Sequence, residues 1–380
     1  MNLELRKANI SDLSDIMQLY MFAYEGTYPD PTFNSVVMLS SALQGTSKYI
    51  YVAKNNEAVV GCILFNYETD NLLAKAGAAV VAPQYRGHNI TKQLLEYGTA
   101  DLKENEGGID VLYITTRTIH KAAQVLTQKM GFKQLGIFPN VHKTDEYETH
   151  ALAAMYFNDS NERRYIDYKQ HPKVLPLFNI VRENIDLPRM EEAEIWQQKN
   201  YIGEVPKLEV IDATEFIRVR INKLSEKNEI DLAFFPFHTP NLLITSPNQN
   251  IEVFAYVNEI DKHCVITGCK IDREVSFTDL FLRVSNILRD RGIRYIEVIL
   301  RANRLNIIDK VIKAKFLPCG YVPAFQLEAG LRYDYIVFSR SYEILDFANL
   351  QLTGANAKYL ANYVGLWEKT FLGDFFKDEN

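Results

Sequence analysis

Between residues 80 and 95 the sequence reads VVAPQYRGHNITKQLL. An apolar run ends at Pro83, Arg86 and Gly87 follow, and a helical pattern begins at once. A helix start carries unpaired amide donors and the positive end of the helix dipole, so it suits a phosphate. Glycine lets the backbone come close to such a ligand. The stretch has neither GxxxxGK[ST] nor GxGxxG, which argues against nucleoside-triphosphate and dinucleotide loops. It reads as an anion-binding turn or as a plain strand-to-helix turn. Other polar and ionisable candidates lie elsewhere, the first four as substrate-reading loop residues and the rest as bases. Tyr24, Glu25, Tyr28 and Asp30 fall in FAYEGTYPDPTF, Glu68 and Asp70 precede the apolar run, Tyr85 lies in the turn, and His120 opens a later helical segment. Each also has an ordinary surface or capping role. His238, among aromatic residues in FFPFHTP, reads as a hydrogen-bonded core histidine.

Bulk properties narrow the classes. The chain has 380 residues, 47% hydrophobic and 24% charged, which suits two or three soluble globular domains. The formal net charge of −6 argues against nucleic acid, whose phosphates need clustered Lys and Arg, and is compatible with a cationic substrate. The four cysteines, Cys62, Cys264, Cys269 and Cys319, form no CxxC pair and sit in apolar runs. They read as buried, reduced thiols, and no metal site is expected. The N-terminus carries charge without an apolar core, so no signal peptide is expected. No apolar run reaches the roughly 18 residues that span a bilayer, so no membrane role is expected. The expected compartment is the cytoplasm.

The elements that must position these residues follow from periodicity. LELRKA reads as a strand. ISDLSDIMQLYMFAY reads as a helix with Ser11 as N-cap and Leu13, Ile16, Leu19, Tyr20 and Ala23 on one face. YIYVAKNNEAVVGCILFNY is a hairpin about Asn55-Asn56, and LLAKAGAAVVA a further strand. NITKQLLEYGTADLKE is a helix turning Ile90, Leu94, Leu95 and Leu102 inward. IDVLYITT is a buried central strand. IHKAAQVLTQKM is a helix stopped by Gly131, and FKQLGIF and HALAAMYF are closing strands. Residues 158–205 are charged and proline-punctuated, a connector with short helices. The same order then returns. TRTIHKAAQVLTQKMGF lies over LRANRLNIIDKVIKAKF at an offset of 184, which aligns Arg117 with Arg301 and Phe132 with Phe316. YIEVIL then takes the central position, and the aromatic tail after residue 340 forms a packed helix.

The turn resembles motif A of the GNAT superfamily of acyl-CoA-dependent N-acyltransferases. Val81, Pro83, Gln84, Arg86, Gly87, Ile90, Leu94 and Leu95 match it, while Asn89 and Thr91 stand where the family prefers small residues. HKAAQVLTQKMGF is similar to the family's later helix through Ala123, Leu126, Gly131 and Phe132, with His120 in place of Asn and Thr127 in place of Tyr. The resemblance implies an α/β fold (an α+β mixed sheet) of two GNAT-like domains. Each would be a twisted, mostly antiparallel sheet with a parallel central pair, flanked by helices. Residues 1–157 would be the acyl-CoA-binding domain and 158–205 the connector. Residues 206–380 would form a second GNAT-like domain without the CoA loop, ending in a helical tail. Val81 would pair with pantetheine, and Arg86, Gly87, His88, Asn89, Ile90 and Thr91 would hold the pyrophosphate of acetyl-CoA.

The family's reaction is direct attack of an amine on the thioester. The implied function is N-acetyl transfer to a small-molecule or peptide amine. Thr127 replaces the family's thiolate-protonating Tyr, and no carboxylate lies on AKAGAAVVA. His120, Thr127 and Glu25 remain the candidates for the chemistry. A non-catalytic acyl-CoA-binding or scaffold protein is the alternative. Amine, acyl length, general base and oligomeric state are not fixed by the sequence.

Overall fold

The computed structural model describes residues 3–26, 28–105, 107–143, 146–195, 204–231, 236–271 and 275–373. Parts of the expected connector (196–203), of the FFPFHTP segment (234–235), Thr27 and the tail end (374–380) lie outside the described residues. The first half runs β1 (Glu4–Lys7), α1 (Leu13–Tyr24), α2 (Val36–Gln44), β2 (Lys48–Asn55), β3 (Ala58–Glu68), β4 (Leu73–Val81), α3 (Ile90–Asn105), β5 (Val111–Arg117), α4 (Lys121–Lys129), β6 (Lys133–Lys143) and β7 (Tyr147–Tyr156). After α5 (Leu175–Ile185) come β8 (Glu209–Ile211), α6 (Thr214–Glu226), β9 (Leu242–Thr245), β10 (Glu252–Asn258), β11 (His263–Lys270), α7 (Phe277–Asp290), β12 (Tyr295–Arg301), α8 (Leu305–Lys313), β13 (Leu317–Glu328), β14 (Leu331–Ser341) and α9 (Asn356–Phe371).

The strands form one mixed sheet in the order β1-β2-β3-β4-β5-β7-β6-β13-β14-β12-β11-β10-β9-β8. Read from either end, the order of pairing is the same. Only β4 with β5 and β11 with β12 run parallel. β5 and β12 begin at Val111 and Tyr295, β6 and β13 at Lys133 and Leu317, β7 and β14 at Tyr147 and Leu331, each pair 184 residues apart. This is the mixed α/β architecture that the sequence implies. The halves meet where Gly136 of β6 pairs with Gly320 of β13. A Cβ at Gly136 would run into the Cys319 carbonyl and Gly320 Cα, so only glycine permits this approach.

The helices follow their apolar stripes. α3 buries Ile90, Leu94, Leu95 and Leu102, and α1 buries Ile16, Leu19 and Tyr20. Gly131, with φ 97°, ends α4. One cap differs from expectation. Ser11 gives both its amide and its hydroxyl to Asn9 Oδ1, in a short 3-10 turn that precedes α1. The FAYEGTYPDPTF loop also leads into α2, whose N-cap is Ser35. All four cysteines are free and buried.

A buried ionic tie joins the halves. Arg332 of β14 is fully enclosed. Its Nη1 donates to Asp110 at 2.6 Å, Nη2 to Asn71 O at 2.9 Å and Nε to Ala324 O at 2.6 Å. Arg163 meets the same Asp110, and Arg164 pairs with Asp334, which also accepts from Tyr321 at 2.7 Å. Removing Arg332 leaves Asp110 to the Arg163 charge alone and the Asn71 and Ala324 carbonyls without this donor, a loss of about 3–5 kcal/mol. Arg332→Met should therefore show a far lower urea midpoint than Arg301→Met, whose guanidinium is partly exposed. Equal midpoints would show that the tie is not what holds the halves.

Candidate functional site

The site begins with a defect in β4. Gly77 opposes Leu64 and Val80 opposes Cys62, so Ala78 and Ala79 together face Ile63. Ala78 sits at φ 51°, and its carbonyl accepts the buried Tyr20 hydroxyl of α1. Such a bulge bends its strand. The β4–β5 ladder stops at Ala76–Ile114, just before it, while β5 continues along β7 as far as Arg117–His150. Beyond Ala76 the two parallel strands part, and the gap between them is the start of the site.

At the far end of β4 the chain turns through Pro83–Tyr85 into α3. Gly87 takes φ 84° and Asn89 φ 59°. A Cβ on Gly87 would meet nothing within 4 Å, so the backbone conformation, not crowding, demands glycine, and the space beside it is open. The first helical bond is Gln93 N to Asn89 O at 3.0 Å. The amides from Gly87 to Lys92 precede it, and none donates to another backbone group among the described residues. A pocket of about 380 Å³ lies alongside, lined by Tyr24, Ala79, Val80, Val81, Arg86, Thr91 and Arg117 among others. The Arg86 guanidinium, open amides and a helix start make this pocket suited to an anion, while the Arg117 charge is met by Glu148. Arg86 Nε rests on Val81 O at 3.4 Å, the outer limit of a hydrogen bond.

Residues 13–132 match the family described as Acetyltransferase (GNAT) family. The chain carries a GNAT acetyltransferase domain. No curated protein matches the chain. Among solved structures, an N-acetyltransferase from Staphylococcus aureus Mu50 is 23% identical, over 41% of this chain and 99% of that one, with a TM-score of 0.37. A ribosomal-protein-alanine N-acetyltransferase from Brucella melitensis is 20% identical, over 40% and 99%, at 0.36. The yncA protein of Salmonella typhimurium, solved with its cofactor acetyl-CoA, is 16% identical, over 41% and 95%, at 0.36.

The residues expected from the sequence fall in different places. Val81, Arg86 and Thr91 line the pocket, Gly87, His88 and Asn89 are exposed at its rim, and Ile90 is buried under the turn. Thr127 is buried with its hydroxyl on the Ala123 and Gln124 carbonyls of its own helix, at 3.1 and 3.0 Å. His120 is exposed at the start of α4, and Glu25 is exposed in a left-handed conformation after α1. Glu68 holds Asn71 at 2.7 Å, and Tyr85 OH accepts from Asn55. His238 Nδ1 lies 3.2 Å from Pro236 O and its ring packs near Tyr256; burial and then Lys75 push its pKa down.

Beyond the pocket lies a largely buried polar cluster at the joint of the halves that the sequence reading missed. Arg117 forks onto Glu148, with Nε to Oε2 at 2.6 Å. Glu148 Oε2 is 3.6 Å from His150 Nε2, an ion-pair distance too long for a hydrogen bond. The His150 and His142 rings are 4.6 Å apart, and His142 Nδ1 lies 2.8 Å from Asp261 of the second half. His263 stands 3.2 Å from Glu297. Asn258 donates to Pro29 O at 3.2 Å, so the loop after α1 also reaches the second half. The available signal was the alternation in YETHALAAMY, which puts Glu148 and His150 on one face of a strand otherwise apolar.

The second half repeats the parting of its parallel strands. β11 and β12 pair from His263–Tyr295 to Ile266–Val298, and Thr267 bulges. Beyond the bulge Asp231 takes both backbone groups of Cys269, at 2.7 and 2.9 Å. The chain's own backbone thus lies on the edge of β11 past its bulge.

Burial holds the His150 pKa down to about 4, below the 6.5 of a free histidine, with Arg117 and His142 adding to the effect. Between those values the unfolded chain binds a proton that the folded chain does not. Stability is therefore complete above pH 6.5 and falls as pH drops towards 4. His150→Asn should lose less stability than the parent between about pH 7 and 5, by roughly 2 kcal/mol. Urea melts at the two pH values give the difference, and parallel losses would refute the assignment.

Proposed function

We propose that this chain is an acetyl-CoA-dependent N-acetyltransferase acting on a small-molecule or peptide amine. The observation that carries the reading is the parted β4–β5 pair opening beside the free amides of Gly87 to Thr91. Arg86, Gly87, His88, Asn89, Ile90 and Thr91 would hold the pyrophosphate, and Val81 would present its backbone to pantetheine once Arg86 leaves its carbonyl. The left-handed, uncrowded Gly87 fits a group of that charge and bulk. Bound acetyl-CoA supplies the activated thioester. The chain's part is to orient it, exclude water and present the amine.

In this reading residues 1–157 are the CoA-binding unit, 158–205 the connector, and 206–380 a second GNAT-like unit with its helical tail. The second unit takes no CoA, because Asp231 occupies the edge of β11 that a pantetheine chain would need. The protein works in the cytoplasm; among the described residues no helix is long and apolar enough to cross a membrane. Thr127, bonded into its own helix, favours a second reading as a non-catalytic acyl-CoA binder, and turnover with an amine separates the two.

Two measurements test this. At a hundredfold excess over Kd, acetyl-CoA should stabilise the full chain by roughly 2.7 kcal/mol. Gly87→Glu, which puts a carboxylate where the pyrophosphate lies, should abolish that thermal shift, whereas an unchanged shift would remove the turn from the site. Asp30, in the loop after α1, accepts from Thr32 N at 2.9 Å, and its charge acts on Lys75, Tyr28 and Tyr256. Asp30→Asn should raise the KM of a cationic acceptor about tenfold, the worth of one charged hydrogen bond, with acetyl-CoA binding intact. An unaltered KM would move the acceptor elsewhere.

A further inference from the structure

Arg117 is bound along one edge only. Its Nε and Nη2 fork onto Glu148, with Nε to Oε2 at 2.6 Å, while Nη1 donates to no group among the described residues. The two side chains differ in exposure, Arg117 at 50% and Glu148 at 8%. The pair is neutral as a whole, yet its negative member is enclosed and its positive member lines the pocket. An ion pair set this way turns a positive end towards whatever enters. It also fixes a geometry. Glu148 takes the side-on edge of the guanidinium and holds its plane. The end-on edge, Nη1 with the second Nη2 hydrogen, is left to meet another carboxylate.

A structural tie explains half of this. Glu148 is buried and needs a cation, which Arg117 supplies. The tie does not require the same guanidinium to form the pocket wall.

The level at which Arg117 stands follows from the strand register. The last β4–β5 pair is Ala76–Ile114, and three residues further along each strand stand Ala79 and Arg117. Both line the pocket, which continues past Val80 and Val81 to Arg86 and Thr91 at the start of α3. Arg117 is therefore at the inner end and the open amides at the outer end. Burial lifts the Tyr24 pKa while the Arg117 and Arg86 charges oppose the rise, so both guanidinium groups act on one hydroxyl of the pocket wall. No acidic side chain lines the pocket among the described residues.

We propose that the inner end of this pocket receives a carboxylate carried on the acyl group, so that the preferred donors are CoA thioesters of short dicarboxylic acids, succinyl-CoA among them. The proposal rests on the acyl-CoA reading above and deepens it: acetyl-CoA would enter the same site with a poorer match. With the pyrophosphate at Gly87 to Thr91, the rest of the ligand runs inward along β4, and its acyl end comes to Arg117. A methyl group there displaces water from a half-exposed guanidinium and replaces none of its hydrogen bonds. A carboxylate replaces them with a charge-assisted fork. The bonds exchanged in transfer stay the same. The amine nitrogen joins the thioester carbonyl carbon, the C–S bond breaks with its electron pair on sulfur, and one proton passes from nitrogen to sulfur. The product is an amide that keeps the free carboxylate.

The test compares the dissociation constants of acetyl-CoA, butyryl-CoA and succinyl-CoA for the full chain by calorimetry. Butyryl-CoA is the control, because it has the same carbon count as succinyl-CoA without the charge. Succinyl-CoA should bind about tenfold tighter than butyryl-CoA, the worth of one charged hydrogen bond. Glu148→Gln, which frees the Arg117 charge, should widen that preference. Arg117→Gln combined with Glu148→Gln, which leaves neither charge unpaired, should erase it. Equal binding of succinyl-CoA and butyryl-CoA by the wild-type chain would overturn the proposal and leave acyl-CoA binding standing. So would a preference that survives in the double variant, or an equal loss of all three thioesters from it, which marks Arg117 as a tie alone. If the wild-type chain binds none of the three, the acyl-CoA reading falls and this proposal with it.

Discussion

A guanidinium with no route to water must have its charge met inside the protein. Arg332 meets that demand by reaching across the molecule to Asp110 and the Asn71 carbonyl of the first half. Asn71 in turn accepts from Leu327 N at 2.8 Å. These contacts fix the start of β5 and the turn before β4 against β13 and β14. Because the joint lies where β4 and β5 begin, it also sets which face of the GNAT domain the second half covers. A hydrophobic joint could be equally stable, but a charge with a single matching partner permits only one docking.

With that docking fixed, the bulge at Ala78 acquires its consequence. In a flat sheet β4 and β5 would stay paired and leave no gap. The bulge, held by Tyr20, ends their pairing and leaves Arg117 and the backbone of Ala79 to Val81 facing an open pocket. The face behind that pocket is the one turned to the second half, where His142 meets Asp261 and Glu148 and His150 end buried. The second half has the same strand order and a bulge of its own, yet there the Asp231 backbone pairs with Cys269 past the bulge. Two similar frameworks thus differ in what lies against the strand past its bulge.

The C-terminal segment stabilises the same region from another side. Gln124 of α4 holds Gln351 O at 2.7 Å, Gln134 of β6 holds Thr353 O at 2.9 Å, and Gln351 N reaches Thr118 O at 2.7 Å. α9 then packs on β6, β13 and α5, so the tail clamps both halves instead of belonging to one. That explains why two glutamines are buried without cost: each amide is satisfied by backbone on the tail.

The turn from Pro83 to Ile90 was legible because its constraints are local. A positive φ needs glycine or asparagine, a helix start needs open amides, and both are written within eight residues. The α3 stripe and the α4 stop at Gly131 were legible for the same reason, and the repeat was legible because element spacing survives when letters do not. β13, α2 and the polar cluster at the joint were not. β13 is apolar along nearly its whole length, so no alternation marks it as a strand. The pairing of Glu148 with Arg117 spans 31 residues and that of His142 with Asp261 spans 119. Only the docking of the halves brings His142 to Asp261. Sequence by itself determined the helix-start turn and the order of strands that carries it. Tertiary structure decided which side chains gather behind it, because burial and the partner across the joint, not the neighbours in the chain, set their state.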